Sequence, residues 1–214
     1  MLAVLAGLLC TVLVFESSSQ ASDRPQALFF GDSLFAGTGV TPKRPVLPTD
    51  TSRLLRWQPT VDAFGGTGFT TGGKHGKPYL DRLKHDRYLQ RRHYDVIVLE
   101  GGTNDALYGD LPAMASRIAE VVGYLRARQP GARLVLVGGF TPHGHEGPRF
   151  DEAEAILEQT AADLGLQYVS QFGYHRLDRG FLGKDHFHPN RAGYRLMARD
   201  LATHLRTPAP KLSV

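Results

Sequence analysis

Cysteine is nearly absent from this 214-residue chain: Cys10 is the single thiol, and it lies in the apolar N-terminal run. That excludes an internal disulfide framework, and no zinc-finger spacing is present. Long apolar runs are equally scarce. Leu2 to Phe15 is the one extended stretch, shorter than the ~20 residues of a membrane span. An excess of one charge is also lacking, since 25 Lys and Arg stand against 21 Asp and Glu for a net +4. So mild a balance permits contact with anionic surfaces without demanding nucleic acid, and neither a P-loop nor an aromatic RNA-binding signature occurs. Internal repeats and long low-complexity segments are missing too.

What is present suits one ordinary globular domain, with 42% hydrophobic and 21% charged residues. The apolar start followed by the polar, small residues Glu16 to Asp23 reads as a signal peptide, with Ser19-Gln20-Ala21 where a peptidase takes small side chains. The alternative is a retained N-terminal hydrophobic segment. Leu8-Leu9-Cys10 lacks the small residues expected before a lipoprotein cysteine. The expected division is 1–24 signal peptide or hydrophobic segment, 25–208 folded domain and 209–214 tail, with the protein secreted or held in the cell envelope.

Three apolar runs end in glycine: Ala27-Leu28-Phe29-Phe30 before Gly31, Val96-Ile97-Val98-Leu99 before Gly101-Gly102, and Leu134-Val135-Leu136-Val137 before Gly138-Gly139. Such runs predict strands buried on both faces of a parallel sheet. Weaker strands are expected at 60–64 and 167–169. Helical spacing joins Leu111, Met114, Ile118, Val121 and Leu125 behind a cap at Asp110. A second helix is expected behind an Asp151/Glu154 capping pair, with Gly165 as its stop. Others are expected over 78–92 and from about Asn190. Strand and helix alternate, which predicts an α/β sandwich around a parallel sheet. Ligands gather at the carboxyl ends of such strands.

Four segments at those ends carry chemistry. Ser33, in Gly31-Asp32-Ser33-Leu34, reads as a nucleophile on a sharp turn or as a helix cap. Phe64-Gly65-Gly66-Thr67-Gly68 offers backbone amides to a developing oxyanion or is simply a turn. Asn104, in Gly102-Thr103-Asn104-Asp105, is an oxyanion donor or the start of an Asx-turn. His188 follows Asp185 by three residues, close enough for the carboxylate to orient the imidazole. His186 is one residue too near Asp185 for that pattern.

Together these blocks resemble the SGNH, or GDSL, serine hydrolases over roughly residues 26 to 205. The resemblance implies a flavodoxin-like three-layer α/β/α fold and an esterase or lipase activity. It implies Ser33 as nucleophile, His188 as general base and acid, and Asp185 as its orienter. It also implies an oxyanion hole of the Ser33 amide, the Gly68 amide and the Asn104 side chain. Many relatives carry an asparagine just ahead of the second block, where this chain reads Asp62-Ala63-Phe64-Gly65. Gly68 is the reading adopted, with Gly66 the alternative.

The expected reaction is cleavage of carboxylic esters of a small molecule or glycan through an acyl-enzyme. An acyltransferase with the same triad and an inactive carbohydrate-binding module are the alternatives. Neither metal nor other cofactor is expected, and His143-Gly144-His145-Glu146 reads as a solvated or substrate-facing loop. The basic residues of 82–93 are an anchor for anionic cell-surface polymer or, more simply, a solvated helix face. Phe35, Phe69, Tyr79 and Phe140 line a pocket or belong to the core, the core being the simpler reading.

Overall fold

In the computed structural model, which describes residues 24–141, 144, 147–171 and 179–206, the apolar runs become five strands. They are β1 (Gln26–Gly31), β2 (Gln58–Ala63), β3 (Val96–Gly101), β4 (Arg133–Phe140) and β5 (Gln167–Gln171). All pair in parallel, in the order β2-β1-β3-β4-β5. That order is flavodoxin-like, and it reverses between β1 and β3, the switch point where α/β sheets bind ligands. The expected signal segment up to residue 23 and the tail 209–214 lie outside the described residues.

Alternation along the strands divides the core into two layers. Leu28, Phe30, Ile97, Leu99 and Leu136 face one side, against Tyr79 and Leu83, Met114, Ile118 and Val121, and Leu157. These come from α3 (Tyr79–Lys84), α6 (Leu111–Arg128) and α7 (Pro148–Asp163). Ala27, Phe29, Val96, Val98, Val135 and Val137 face the other, against Val46 and Leu47 of α2 (Val46–Leu55) and Tyr194, Met197 and Leu201 of α8 (Arg191–Arg206). Short helices α1 (Ser33–Ala36) and α5 (Thr103–Tyr108) follow β1 and β3 directly. The architecture is the three-layer α/β/α sandwich. No helix among the described residues is long and apolar enough to cross a membrane.

The helices differ from expectation in three places. The segment 78–92 is not one helix: Asp86 stops it by accepting from the Tyr88 and Leu89 amides, which starts a new helix, α4 (Arg87–Arg91). The α7 helix begins at Pro148, ahead of the Asp151/Glu154 pair, because a proline at the first position needs no amide partner. Helix α2 was not foreseen, since a proline and three hydroxyl or acidic residues, Pro48 to Thr51, break its apolar pattern. Its Val46, Leu47, Thr51 and Ser52 nonetheless turn inward.

Candidate active site

Where β1 leaves the sheet, Asp32 caps α1 by accepting the Leu34 amide on Oδ1 at 2.8 Å. This fixes the turn that carries Ser33, which stays partly exposed while Asp32 and Leu34 are buried. Ser33 Oγ lies 2.9 Å from His188 Nε2, and His188 Nδ1 lies 2.8 Å from Asp185 Oδ2. Asp185 holds its own loop as well, since Oδ1 accepts the amides of Phe187 at 3.1 Å and His188 at 3.0 Å. The loop closes through the Gly183 amide donating to the His188 carbonyl at 2.7 Å. His186 stands apart, solvent-exposed with φ 54°.

Two opposing effects set the charge states. Burial pushes the Asp185 carboxyl up, but the bonds from His188 and the two backbone amides outweigh it and hold the group below its ordinary range. Burial pushes the His188 imidazole down, against the pull of Asp185. The arrangement is a neutral imidazole with one nitrogen oriented by a carboxylate and the other facing a serine hydroxyl.

Around the serine the second and third blocks converge. The Asn104 side chain, buried in the turn after β3, donates to Asp32 Oδ2 at 2.7 Å and to the Thr67 carbonyl at 3.0 Å. The Gly68 amide is engaged elsewhere: it donates to the Thr71 carbonyl at 2.8 Å, and a Cβ there would stand 2.4 Å from the Asp105 carboxylate. Gly65 is the glycine beside Ser33, where a Cβ would lie 3.4 Å from Ser33 Cβ. Gly66, the alternative second-block residue, follows with φ +80°, a conformation that glycine adopts without strain. The amides of Ser33, Gly65 and Gly66 find no acceptor among the described residues.

Sequence reasoning passed over three residues that brace this site. Asp105 accepts from the Phe69 amide and from both the amide and hydroxyl of Thr70, pinning the glycine-rich loop to α5. Glu100, fully buried on β3, accepts the Asp32 amide at 3.0 Å. Arg82 belongs to the basic segment, yet it is buried. It donates to the Gly31 carbonyl and Thr67 Oγ1, pairs with Asp62 at 2.6 Å and lies over the Phe30 and Phe64 rings. The signal for Arg82 was its spacing, three residues after Tyr79 and beside Leu83, on the inward face of α3. Phe35, Phe69, Tyr79 and Phe140 are all core. His143, His145 and Glu146 fall outside the described residues.

A doubly wound parallel sheet with a serine, histidine and aspartate in file at its carboxyl edge has the architecture of a serine hydrolase. Residues 29–196 match the GDSL-like Lipase/Acylhydrolase family. The chain belongs to that family. It is 25% identical over 151 residues to a multidomain esterase of Ruminococcus flavefaciens, covering 63% of this chain and 19% of that one. The chain thus spans about a fifth of that relative's length. Among solved structures, it is similar to a family two carbohydrate esterase from Clostridium thermocellum in complex with cellohexaose. There the TM-score is 0.71 at 21% identity, over 86% of this chain and 64% of that one. An acetyl xylan esterase, Est2A, of Butyrivibrio proteoclasticus gives 0.62 at 16% identity, over 85% and 63%. At these identities the likeness is one of fold.

Proposed function

We propose that this protein hydrolyses carboxylic esters of glycans, acetyl esters foremost, through an acyl-enzyme on Ser33. The observation that carries the proposal is the file Ser33–His188–Asp185, with its two contacts of 2.9 and 2.8 Å. His188 Nε2 takes the hydroxyl proton as Ser33 Oγ attacks the ester carbonyl, and Asp185 steadies the imidazolium that forms. The same proton then goes to the leaving alcohol. Water, activated by His188, repeats the addition on the acyl-enzyme and releases the acid.

The developing oxyanion is assigned to the Ser33 amide and the Gly65–Gly66 turn, because those amides have no acceptor of their own. Asn104 is the third donor. Its two hydrogens face Asp32 and the Thr67 carbonyl, so its share depends on loosening the longer bond. The glycan half of the proposal rests on the relatives, whose described substrates and ligands are carbohydrates or their esters. Export is part of the reading and rests on the apolar start of the chain; the mature N-terminus of secreted protein tests it.

The decisive experiment runs nitrophenyl esters of graded acyl length beside acetylated oligosaccharides, with native protein and Ser33→Ala. Turnover that favours the acetylated oligosaccharide and vanishes in Ser33→Ala is expected. Full activity in purified Ser33→Ala overturns the mechanism.

A further inference from the structure

Beside the nucleophile, at the free edge of the sheet, lies a cleft of about 700 Å³ lined by the end of β2, α4 and the turns around them. Phe64 is part of its wall; the Phe64 amide donates to the Gly31 carbonyl, two residues before Ser33, and its successor Gly65 lies against Ser33 itself. Phe64 and Gly65 thus join the wall of the cleft to Ser33.

Its lining is basic and partly aromatic. Lys77, Arg82, Arg87, Arg91 and Arg92 contribute five fixed cations, with Asp62 and Asp86 the carboxylates. Asp62 is taken by Arg82 at 2.6 Å, and Asp86 spends Oδ1 on the start of α4. Lys77, Arg87 and Arg91 are exposed and have no acidic partner among the described residues. Phe64 and Tyr88, 47% and 51% exposed, stand among these cations. Exposed rings offer faces to sugar rings, and unneutralised cations along a concave wall attract fixed negative charge. A lipid surface would instead call for a convex apolar patch.

We propose that this cleft is a subsite for an acidic glycan, a chain of sugars bearing carboxylates, which Arg87, Arg91 and Lys77 hold while Phe64 and Tyr88 stack on its rings. As a subsite for substrate it rests on the ester-hydrolase reading; as a binding site it stands apart from it.

Binding is therefore measured on Ser33→Ala protein, by calorimetric titration with oligogalacturonate and, in parallel, with a neutral xylo-oligosaccharide of equal length. The acidic oligomer is expected to bind at least about tenfold more tightly at low ionic strength, with the gap shrinking as salt is added. Arg87→Gln/Arg91→Gln in the same background is expected to weaken it roughly five- to tenfold and to leave the neutral oligomer unchanged. Equal affinity for the two oligomers overturns the proposal. So does indifference to the double substitution, or a preference for phosphatidylglycerol vesicles over oligogalacturonate. If native protein turns over no ester and yet binds oligogalacturonate selectively, the hydrolase reading fails while the cleft stands.

Discussion

Asn104 Nδ2 lies 2.7 Å from Asp32 Oδ2, tying the residue before the serine to the turn after β3. The bond makes Asn104 a strut, alongside the oxyanion role proposed for it. Asn104→Ala is expected to lower kcat on nitrophenyl acetate ~10²–10³-fold, with KM little changed. Steady-state kinetics beside a thermal melt separate the two roles, for a strut alone would shift Tm and spare kcat.

The two glycines of the second block separate by readout. Gly68→Ala drives a methyl group to 2.4 Å from the Asp105 carboxylate, and a loss of roughly 1–3 kcal/mol in denaturant unfolding is expected. Gly65→Ala sets its methyl 3.4 Å from Ser33 Cβ and is expected to lower kcat on the order of 10–100-fold with a smaller change in stability. The reverse pattern would return the oxyanion role to Gly68.

On the proposed mechanism His188 sets the acid limb of the pH profile. Burial lowers its pKa from 6.5, with Lys43 adding to that and Asp185 opposing it. The imidazole therefore keeps its neutral, proton-accepting form to lower pH than free histidine. The acid limb of kcat/KM is expected to have its midpoint below pH 6.5. The sign for stability is the same: the contribution of His188 is full above 6.5 and lost as pH falls through the lowered value. A midpoint above 6.5 would show that the Asp185 carboxylate outweighs burial.

Glu100 and Asp32 set a second dependence, of opposite sign. Burial and the neighbouring Asp32 push the Glu100 carboxyl well above its ordinary range, and burial carries Asp32 up to about 6. Raised folded values mean stability that is full at acid pH and lost as the pH climbs through them. Glu100→Gln keeps an oxygen for the Asp32 amide and removes one of the two charges. The fall of Tm as the pH rises above 4.5 is expected to flatten in this variant. An unchanged slope would place the ionisation elsewhere.

Where the chain repeats one physical signal over many residues, the sequence was legible. Continuous apolar runs ending in glycine located β1, β3 and β4, and the spacing of Met114, Ile118, Val121 and Leu125 located α6. Ser33, Asn104, Asp185 and His188 stood out only together, in chain order at successive expected strand ends and in the pattern that resembles the SGNH blocks. Features that depend on partners distant in sequence were hidden. Arg82 looks like its basic neighbours until β2 supplies Asp62. The orientation of Gly68 depends on the carbonyl of Thr71 and on Asp105, and neither is marked by the glycine pattern. Strand order had no local signal at all.

The contact between Ser33 and His188 spans 155 residues of chain. Nearly the whole domain must be in place before it closes, because the histidine loop leads into α8, whose Tyr194 hydroxyl donates to the Thr38 carbonyl beside the serine turn. Early in synthesis the chain has Ser33 without His188. On the proposed mechanism ester turnover waits for this closure, and its onset during refolding serves as a clock for docking of α8.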